Sequence, residues 1–342
     1  MTSRPKTALQ GRPTAIIDAH HHFWDLRNDL PWLKHDPVPF RYGDYSAISR
    51  DYLPQDYRND TADWPIVGSV YVEAEWNRAL AAEETLWVSH IAEQAGLPSV
   101  MVSWCDLASP AAAELLAKHS SSEIVRGVRH KPAAAPSPQQ ARRGAKGSMD
   151  DPKWREGYAH LKHYGWSYDL QTPWWHLDAA CDLASDFPDI PLIINHSGLP
   201  ADRSSEGLAG WRKALETAAT RPNVFMKISG LGQLHERWNA VANIPIIRDI
   251  ISIFSVDRAM FASNFPVDSL VGNFDTIFSG FVTATADLSE EDRAKLFCDN
   301  AARVYRLPHA LAKLQPSGGG YNENESDPKG GCSGSRRIIG SR

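Results

Sequence analysis

The chain has 342 residues, 42% of them hydrophobic and 23% charged, which is the composition of an ordinary soluble globular protein. A formal charge of -5 argues against nucleic acid as the main partner, and no apolar run approaches the ~20 residues that a membrane span needs. The polar residues 1–14 lack the apolar stretch of a secretory signal, and four scattered cysteines predict reduced thiols in a cytoplasmic protein.

Apolar runs of strand length recur along the chain, and stretches with helical periodicity lie between them. The predicted strands are 15–19, 66–73, 99–104, 124–129, 166–170, 191–195, 224–229 and 258–263. The predicted helices include 78–95, 110–119, 174–187, 207–220, 246–254 and 274–285. Continuous apolar strands that alternate with helices indicate a parallel α/β sheet buried on both faces. Eight such units favour a (β/α)8 TIM barrel over the alternative, an open doubly wound sheet.

Three regions lie outside this alternation. Residues 25–63 form a long excursion after the first strand and are expected to fold over the barrel mouth. Residues 131–151 are expected to form a mobile loop near the site. The predicted organisation is therefore a flexible segment at 1–14, one barrel domain at 15–314 and a disordered Gly/Ser-rich tail at 315–342, which contains Cys332.

The first predicted strand ends in Asp-x-His-x-His, which places His20 and His22 two residues apart. On an extended backbone these two side chains share one face, while His21 points to the other face. Paired imidazoles can hold a metal, polarise a carbonyl or move protons. The alternative without a catalytic role is a histidine cluster that caps the strand end.

Polar residues also stand at the ends of other predicted strands, where TIM barrels carry their chemistry. They are Glu73, Glu75, Arg129, His130, Asp169, Gln171, Asn195, His196, Lys227, Ser229 and Asn264, with Asp268 just beyond. Arg129 is interpreted either as a clamp for a carboxylate or a developing oxyanion, or as a salt-bridge partner of Glu73 or Asp169. For Lys227, an ion pair within the barrel is the preferred interpretation.

Five separated strand ends carry motifs that resemble those of a known family. They are Ile-Asp-Ala-His-His-His-Phe-Trp-Asp (17–25), Gly-Val-Arg-His (127–130), Asn-His-Ser-Gly-Leu-Pro (195–200), Lys-Ile-Ser-Gly-Leu (227–231) and Phe-Ala-Ser-Asn-Phe-Pro-Val (261–267). In this order, over about residues 15–308, they resemble the amidohydrolase-related barrel hydrolases. The nearest group is the sugar-acid and dicarboxylate lactonases, including pyrone-dicarboxylate and fuconolactone hydrolases.

The resemblance implies a metallo-dependent-hydrolase type of TIM barrel, in which His20, His22 and His196 surround the reacting centre. In the wider superfamily such histidines hold a divalent metal, usually zinc, whereas the dicarboxylate-lactone branch is described as metal-independent. The strand-eight residue is usually Asp but is Asn264 here, and an amide cannot accept a proton from water. Asp268 and Glu75 are the candidates for that base, with helix capping as the alternative for Asp268.

The sequence therefore predicts a hydrolase that opens a lactone of a small carboxylic or sugar acid, with Asn264 and Asp268 orienting the attacking water. The anionic substrate is expected to contact Arg129, His130, Glu75 and Trp24. A metal-dependent decarboxylase of an aromatic or muconate-type acid is the first alternative, and a non-catalytic barrel that binds a small acid is the second. The oligomeric state is left open, with a homo-oligomer among the options.

Overall fold

Eight parallel strands form a barrel in the computed structural model, which describes residues 11–35 and 37–307. The strands are β1 (Ile16–His21), β2 (Ile66–Val72), β3 (Val100–Trp104), β4 (Val125–Arg129), β5 (Ser167–Leu170), β6 (Leu192–Ile194), β7 (Val224–Ile228) and β8 (Ala259–Phe261). Each strand pairs with the next in the chain. All eight predicted strands are therefore confirmed.

Backbone hydrogen bonds between the ends of β8 and β1 complete the ring. The amide of Asn264 donates to the carbonyl of His20, and the amide of His22 donates to the carbonyl of Phe265, both at 2.7 Å. The predicted TIM barrel is confirmed. The open doubly wound alternative is wrong, because sequential pairing that returns to the first strand has no point at which the strand order reverses.

Helices alternate with the strands of the barrel. They are α1 (Pro31–Lys34), α2 (Pro54–Asp60), α3 (Ala81–Ala95), α4 (Ala112–His119), α5 (Pro152–Ala159), α6 (Leu161–Tyr164), α7 (Leu177–Asp186), α8 (Ser205–Ala219), α9 (Ala240–Phe254), α10 (Phe274–Ala284), α11 (Glu290–Ala294) and α12 (Asn300–Val304). The prediction began α9 at residue 246, but the helix runs through Pro245 and is capped by the Asn239 side chain. In the described ranges, no helix combines the length and the apolar character that crossing a membrane requires.

The segment that ends the described chain fills the amino-terminal end of the barrel. A π-helical turn (Lys295–Asp299) and α12 bring apolar side chains against the interior of the strands. The cluster includes Cys298, Ala301, Val304, Tyr305 and Leu307 together with Ile17, Val70, Val100, Ile193 and Met260. This end of the barrel is therefore packed with side chains, so access to the interior is from the other end. The predicted tail from residue 315, with Cys332, lies outside the described residues.

The excursion of residues 25–63 folds over the carboxyl-terminal mouth of the barrel, as predicted. Its side chains contribute to the wall of the cavity at that end. The rings of Trp32 and Phe40 are stacked with centroids 6.0 Å apart, and Phe40 lies 4.9 Å from Tyr45. The loop of residues 131–151 is joined to α7 through Arg143, which forms ion pairs with Asp178 and Asp182. Its mobility stays a prediction.

Candidate active site

A cavity of about 260 Å³ opens at the carboxyl-terminal end of the barrel. Predicted site residues in its wall are His22, Trp24, Glu75, Arg129, His196 and Asn264. The excursion adds Trp32, Val38, Pro39, Phe40 and Arg41. An apolar cavity with a few converging polar groups is the usual form of a small-molecule site. These six predicted site residues are therefore brought together at one place.

Three imidazoles converge beside this cavity. The Nε2 atoms of His20 and His22 are 3.3 Å apart, and the ring centroids of His20 and His196 are 4.6 Å apart. His21 points to the opposite face, where its ring packs 4.6 Å from Phe23 and 4.7 Å from Tyr57. The alternation predicted for Asp-x-His-x-His is confirmed, and the two outer histidines share the face that looks into the barrel.

The three histidines are neutral at neutral pH. Burial, reinforced by the charge of Arg129, lowers the pKa of His22 to about 4. Burial also holds the pKa of His20 and of His196 well below the ordinary value, with Lys227 adding to the effect at His20. Each ring therefore keeps one nitrogen lone pair. In His22, Nδ1 lies 2.7 Å from the carbonyl of Val72, which can only accept, so that lone pair is on Nε2.

The histidine pair fits two positions of a tetrahedral metal site. Two nitrogens at ~2.0–2.1 Å from one zinc ion are about 3.3 Å apart, and the Nε2 atoms of His20 and His22 are separated by 3.3 Å. His196 lies against His20 and is the third available imidazole. Residues 11–35 and 37–307 contain no group of three or more His, Cys, Asp or Glu side chains arranged around a metal position. The donors therefore suit zinc in type and in the spacing of one pair.

The amide of Asn264 is oriented by a buried carboxylate. Its Nδ2 donates to Oδ1 of Asp268 at 2.7 Å, and the hydroxyl of Tyr42 donates to the same oxygen at 3.0 Å. Burial raises the pKa of Asp268 to about 6. Asn264 is in the cavity wall, whereas Asp268 is not. The geometry therefore places Asp268 behind Asn264, in direct contact with its amide, and the predicted role of Asp268 as a base stays a prediction.

Arg129 is held by Glu73 at the end of β2. Its Nε donates to Oε1 of Glu73 at 2.6 Å, and Nη2 donates to the Glu73 carbonyl at 2.6 Å. Burial alone would raise the pKa of Glu73, but the charges of Arg129 and Arg78 lower it below its usual range. The salt bridge to Glu73 was one of the interpretations of Arg129, and it is confirmed. Nη1 and the second N–H of Nη2 remain for other partners, and Oε1 of Gln171 lies 3.3 Å from Nη1.

Glu75 and His130 differ in where their side chains lie. Glu75 is in the cavity wall and is hydrogen-bonded to Lys131. The structure does not bring His130 to the cavity wall. Its Nδ1 accepts hydrogen bonds from the amide of Leu107 and from Nε1 of Trp154, both at 3.1 Å. This ring therefore joins β4 to its neighbouring loops, and the predicted contact of His130 with substrate stays a prediction.

Several wall residues have a left-handed backbone. The φ angles are 58° at Glu75, 51° at His196 and 55° at Asn264. An L-residue with a side chain pays about 1–3 kcal/mol for such a conformation, which persists only where the surroundings impose it. These residues follow β2, β6 and β8, where the chain turns sharply out of the strand. The turns direct three polar side chains into one cavity.

Residues 17–307 match the model of the amidohydrolase family. The chain belongs to this family. Because family membership covers almost the whole described barrel, it supports an enzyme of the amidohydrolase superfamily and confirms the resemblance found in the strand-end motifs.

Curated relatives of this amidohydrolase cover nearly its whole barrel. The uncharacterized protein y4mH of Sinorhizobium fredii is 39% identical over 86% of this chain and 99% of its own. An L-fucono-1,5-lactonase of Burkholderia multivorans is 28% identical over 85% of this chain and 96% of that protein. A crystal structure of an amidohydrolase from Burkholderia multivorans with bound zinc is 27% identical, covers 86% of this chain and 100% of that one, and has a TM-score of 0.71.

Arg41 and Tyr42 are among the site residues of this amidohydrolase that were not predicted from the sequence. Arg41 is in the cavity wall, and Tyr42 reaches the buried carboxylate of Asp268. Both belong to the part of the excursion between α1 and α2, which has neither helical nor strand periodicity to show which side chains point inward. The only available signal was the expectation that this segment covers the mouth.

Proposed function

We propose that this amidohydrolase opens the lactone ring of a small carboxylic acid by attack of water at the histidine cluster. The main support is that His20, His22 and His196, all neutral, converge beside a cavity of about 260 Å³. The relative named L-fucono-1,5-lactonase supports lactone chemistry, since its similarity extends over 96% of its length.

In this proposal His20, His22 and His196 are the residues that would hold a divalent metal such as zinc. A bound zinc ion polarises a carbonyl group and lowers the pKa of coordinated water to about 7. The zinc-containing structure at 27% identity supports this part of the proposal.

Asn264 positions the attacking water. Because its Nδ2 donates to Asp268, the amide cannot rotate freely, and its carbonyl oxygen is left for a partner in the cavity. A water molecule that donates to this oxygen is held beside the histidine cluster. The neutral amide orients the water without taking its proton. A decarboxylase, the first alternative, is disfavoured because its strand-eight group is normally a carboxylate.

Arg129 stabilises negative charge on the lactone carbonyl oxygen. Its guanidinium lies in the wall and is fixed by Glu73, so it needs no reorganisation when charge develops. Trp24 and the rings of the excursion line the same space, and their low polarity strengthens this interaction. Opening of the ring then releases a hydroxy acid.

Hydrolysis of a lactone panel, followed with a pH indicator, tests the proposal. We expect turnover of at least one lactone and a loss of at least ~10²-fold for His196→Ala, with unchanged circular dichroism. The matched control is His163→Ala, which changes an exposed histidine and should retain activity. Zinc should raise the melting temperature of the apo wild type and His163→Ala, but have less effect on His196→Ala. Absence of turnover across the panel, or an active His196→Ala, would overturn the proposal.

A further inference from the structure

We propose that Arg41 binds a carboxylate of the substrate, and that the site therefore selects ring compounds with an anionic group over neutral polyhydroxylated ones. The inference rests on the proposed function only in taking the ring to be a lactone. It assigns the selectivity of the site to the excursion of residues 25–63, outside the eight strands.

The guanidinium of Arg41 has an unused donor at the cavity. Nη2 donates to the carbonyl of Gly230, whereas Nη1 is shielded from solvent and has no hydrogen-bond partner within the described part of the chain. Buried polar groups are almost always hydrogen-bonded, and leaving one unpaired is destabilising. A ligand that accepts a hydrogen bond from Nη1 removes this penalty when it binds.

Arg41 lies immediately beside the reacting centre. A methyl group added at Gly230 would be 2.8 Å from Cβ of His196 and 3.0 Å from Nη1 of Arg41, which shows how closely the two side chains approach the same turn. The positive charge of Arg41 also contributes to the low pKa of His196. A carboxylate on Arg41 is therefore within the span of one small molecule whose carbonyl faces the histidines.

The other cations of the wall already have anionic partners. Arg129 is paired with Glu73, and Lys131 is paired with Glu75. Asp268 faces Arg41, but its Oδ1 accepts from Asn264 and Tyr42, and no salt bridge joins it to Arg41 among the described residues. Among the described residues, Arg41 is thus the wall cation that forms no salt bridge. A substrate anion supplies the missing partner.

The surroundings of Arg41 favour a flat, apolar ring over a sugar ring rich in hydroxyl groups. Trp32 and Phe40 stack with an interplanar angle of 10°, and Val38 and Pro39 extend this apolar surface along the wall. Few hydrogen-bonding groups are offered there to ring hydroxyls. The low local polarity also strengthens an ion pair between Arg41 and a carboxylate.

Binding of benzoate and benzamide, measured by calorimetry, tests this assignment without relying on turnover. The two probes have similar size and shape but differ in charge. Wild type should bind benzoate at least tenfold more tightly than benzamide. Arg41→Gln should lower that preference roughly 10- to 100-fold, and Arg41→Lys should lower it less, because lysine keeps the charge but not the planar fork.

The matched control is Arg50→Gln, which removes an exposed positive charge from the same excursion. It should retain the preference for benzoate, and circular dichroism should show all variants folded. A wild type without preference for benzoate, or an Arg41→Gln or Arg41→Lys variant with the full preference, would overturn the assignment. If benzoate is preferred through Arg41 but no lactone is hydrolysed, the anion site stands and the proposed reaction fails.

Discussion

At the level of single residues, Asn264 and Asp268 show how an amide and a carboxylate divide two roles. Asn264 stands in the cavity wall, and Asp268 is buried behind it. The carboxylate accepts from Asn264 and Tyr42, which fixes the amide but does not fully offset the burial of the charge, because the pKa of Asp268 is raised to about 6. The carboxylate that positions the Asn264 amide thus lowers the stability of the fold when it is ionised, so this cost depends on pH.

Asp268→Asn should become more stable relative to wild type as the pH rises. The pKa of Asp268 is about 6 in the folded protein and ~3.9 in an unfolded chain. A carboxyl whose pKa is higher in the folded protein stabilises the fold at pH values below its pKa in the unfolded chain. This stabilisation is lost as the pH rises through the pKa of the folded protein. Between pH 4 and pH 7 the difference in the free energy of unfolding should therefore shift by about 2 kcal/mol in favour of Asp268→Asn.

Urea unfolding of both proteins at pH 4, 5.5 and 7 measures this shift. Asp287→Asn is a suitable control, because that carboxylate is exposed and its pair with Arg248 is screened by water. The difference in the free energy of unfolding between Asp287→Asn and wild type should change little with pH. A shift in the opposite direction for Asp268→Asn would show that Asp268 is stabilised as a carboxylate in the fold.

At the level of elements, strands could be predicted from the sequence because their burial on both faces leaves continuous apolar runs such as Leu192–Ile194. The strand ends could be predicted together with the strands, and this identified His20, His196 and Asn264 as candidate site residues. For the excursion, only its position over the barrel mouth could be predicted. The direction of the Arg41 side chain could not, because it depends on packing between distant segments. The choice between the two interpretations of Arg129, and the position of Asp268 behind Asn264, likewise depend on side-chain geometry that a linear pattern does not contain.

The turn after β7 joins several of these elements. Gly230 has a φ of 62°, and its carbonyl accepts from Arg41 of the excursion. The turn also packs against the side chain of His196, which follows β6. A residue without a side chain is required here both by the backbone conformation and by the close approach of these two groups.

Gly230→Ala should reduce both stability and activity. Gly165→Ala separates the cost of the left-handed backbone from the cost of the steric clash. The φ angle is 62° at both glycines, so each alanine bears the same left-handed backbone cost of about 1 kcal/mol. At Gly165 a new Cβ meets nothing within 4 Å, whereas at Gly230 it would lie 2.8 Å from Cβ of His196. We expect Gly230→Ala to lose at least about 1 kcal/mol more than Gly165→Ala.

Urea unfolding and turnover of the two glycine variants provide the comparison. Gly165→Ala should keep wild-type turnover, because α6 and its C-terminal turn lie away from the cavity wall. Gly230→Ala should lose turnover through displacement of His196 or Arg41. Equal losses of stability, with turnover retained in both, would show that the β7 turn relaxes without moving the site.

At the level of the whole molecule, the barrel is closed at one end and carries the proposed active site at the other. The amino-terminal end is filled by apolar side chains of α12 and its neighbours. Deeper in the barrel, Nζ of Lys227 donates to Asp169 at 2.6 Å, and the hydroxyl of Tyr305 donates to the same carboxylate at 3.0 Å. This network connects β5 and β7 to the segment that ends the described chain.

The ion pair at the centre of this network confirms the interpretation of Lys227, and its energetics are testable. Both side chains are fully buried. Lys227→Met leaves the charge of Asp169 without its cation, so we expect a loss of about 3–5 kcal/mol in the free energy of unfolding. The double variant Lys227→Met, Asp169→Asn contains no unpaired charge and keeps an acceptor for Tyr305. It should be more stable than Lys227→Met by about 2 kcal/mol. If Asp169→Asn instead adds to the loss in the free energy of unfolding, Asp169 stabilises the barrel through contacts other than Lys227. The ion pair between Lys227 and Asp169 would then not be what joins the barrel interior to the closed amino-terminal end.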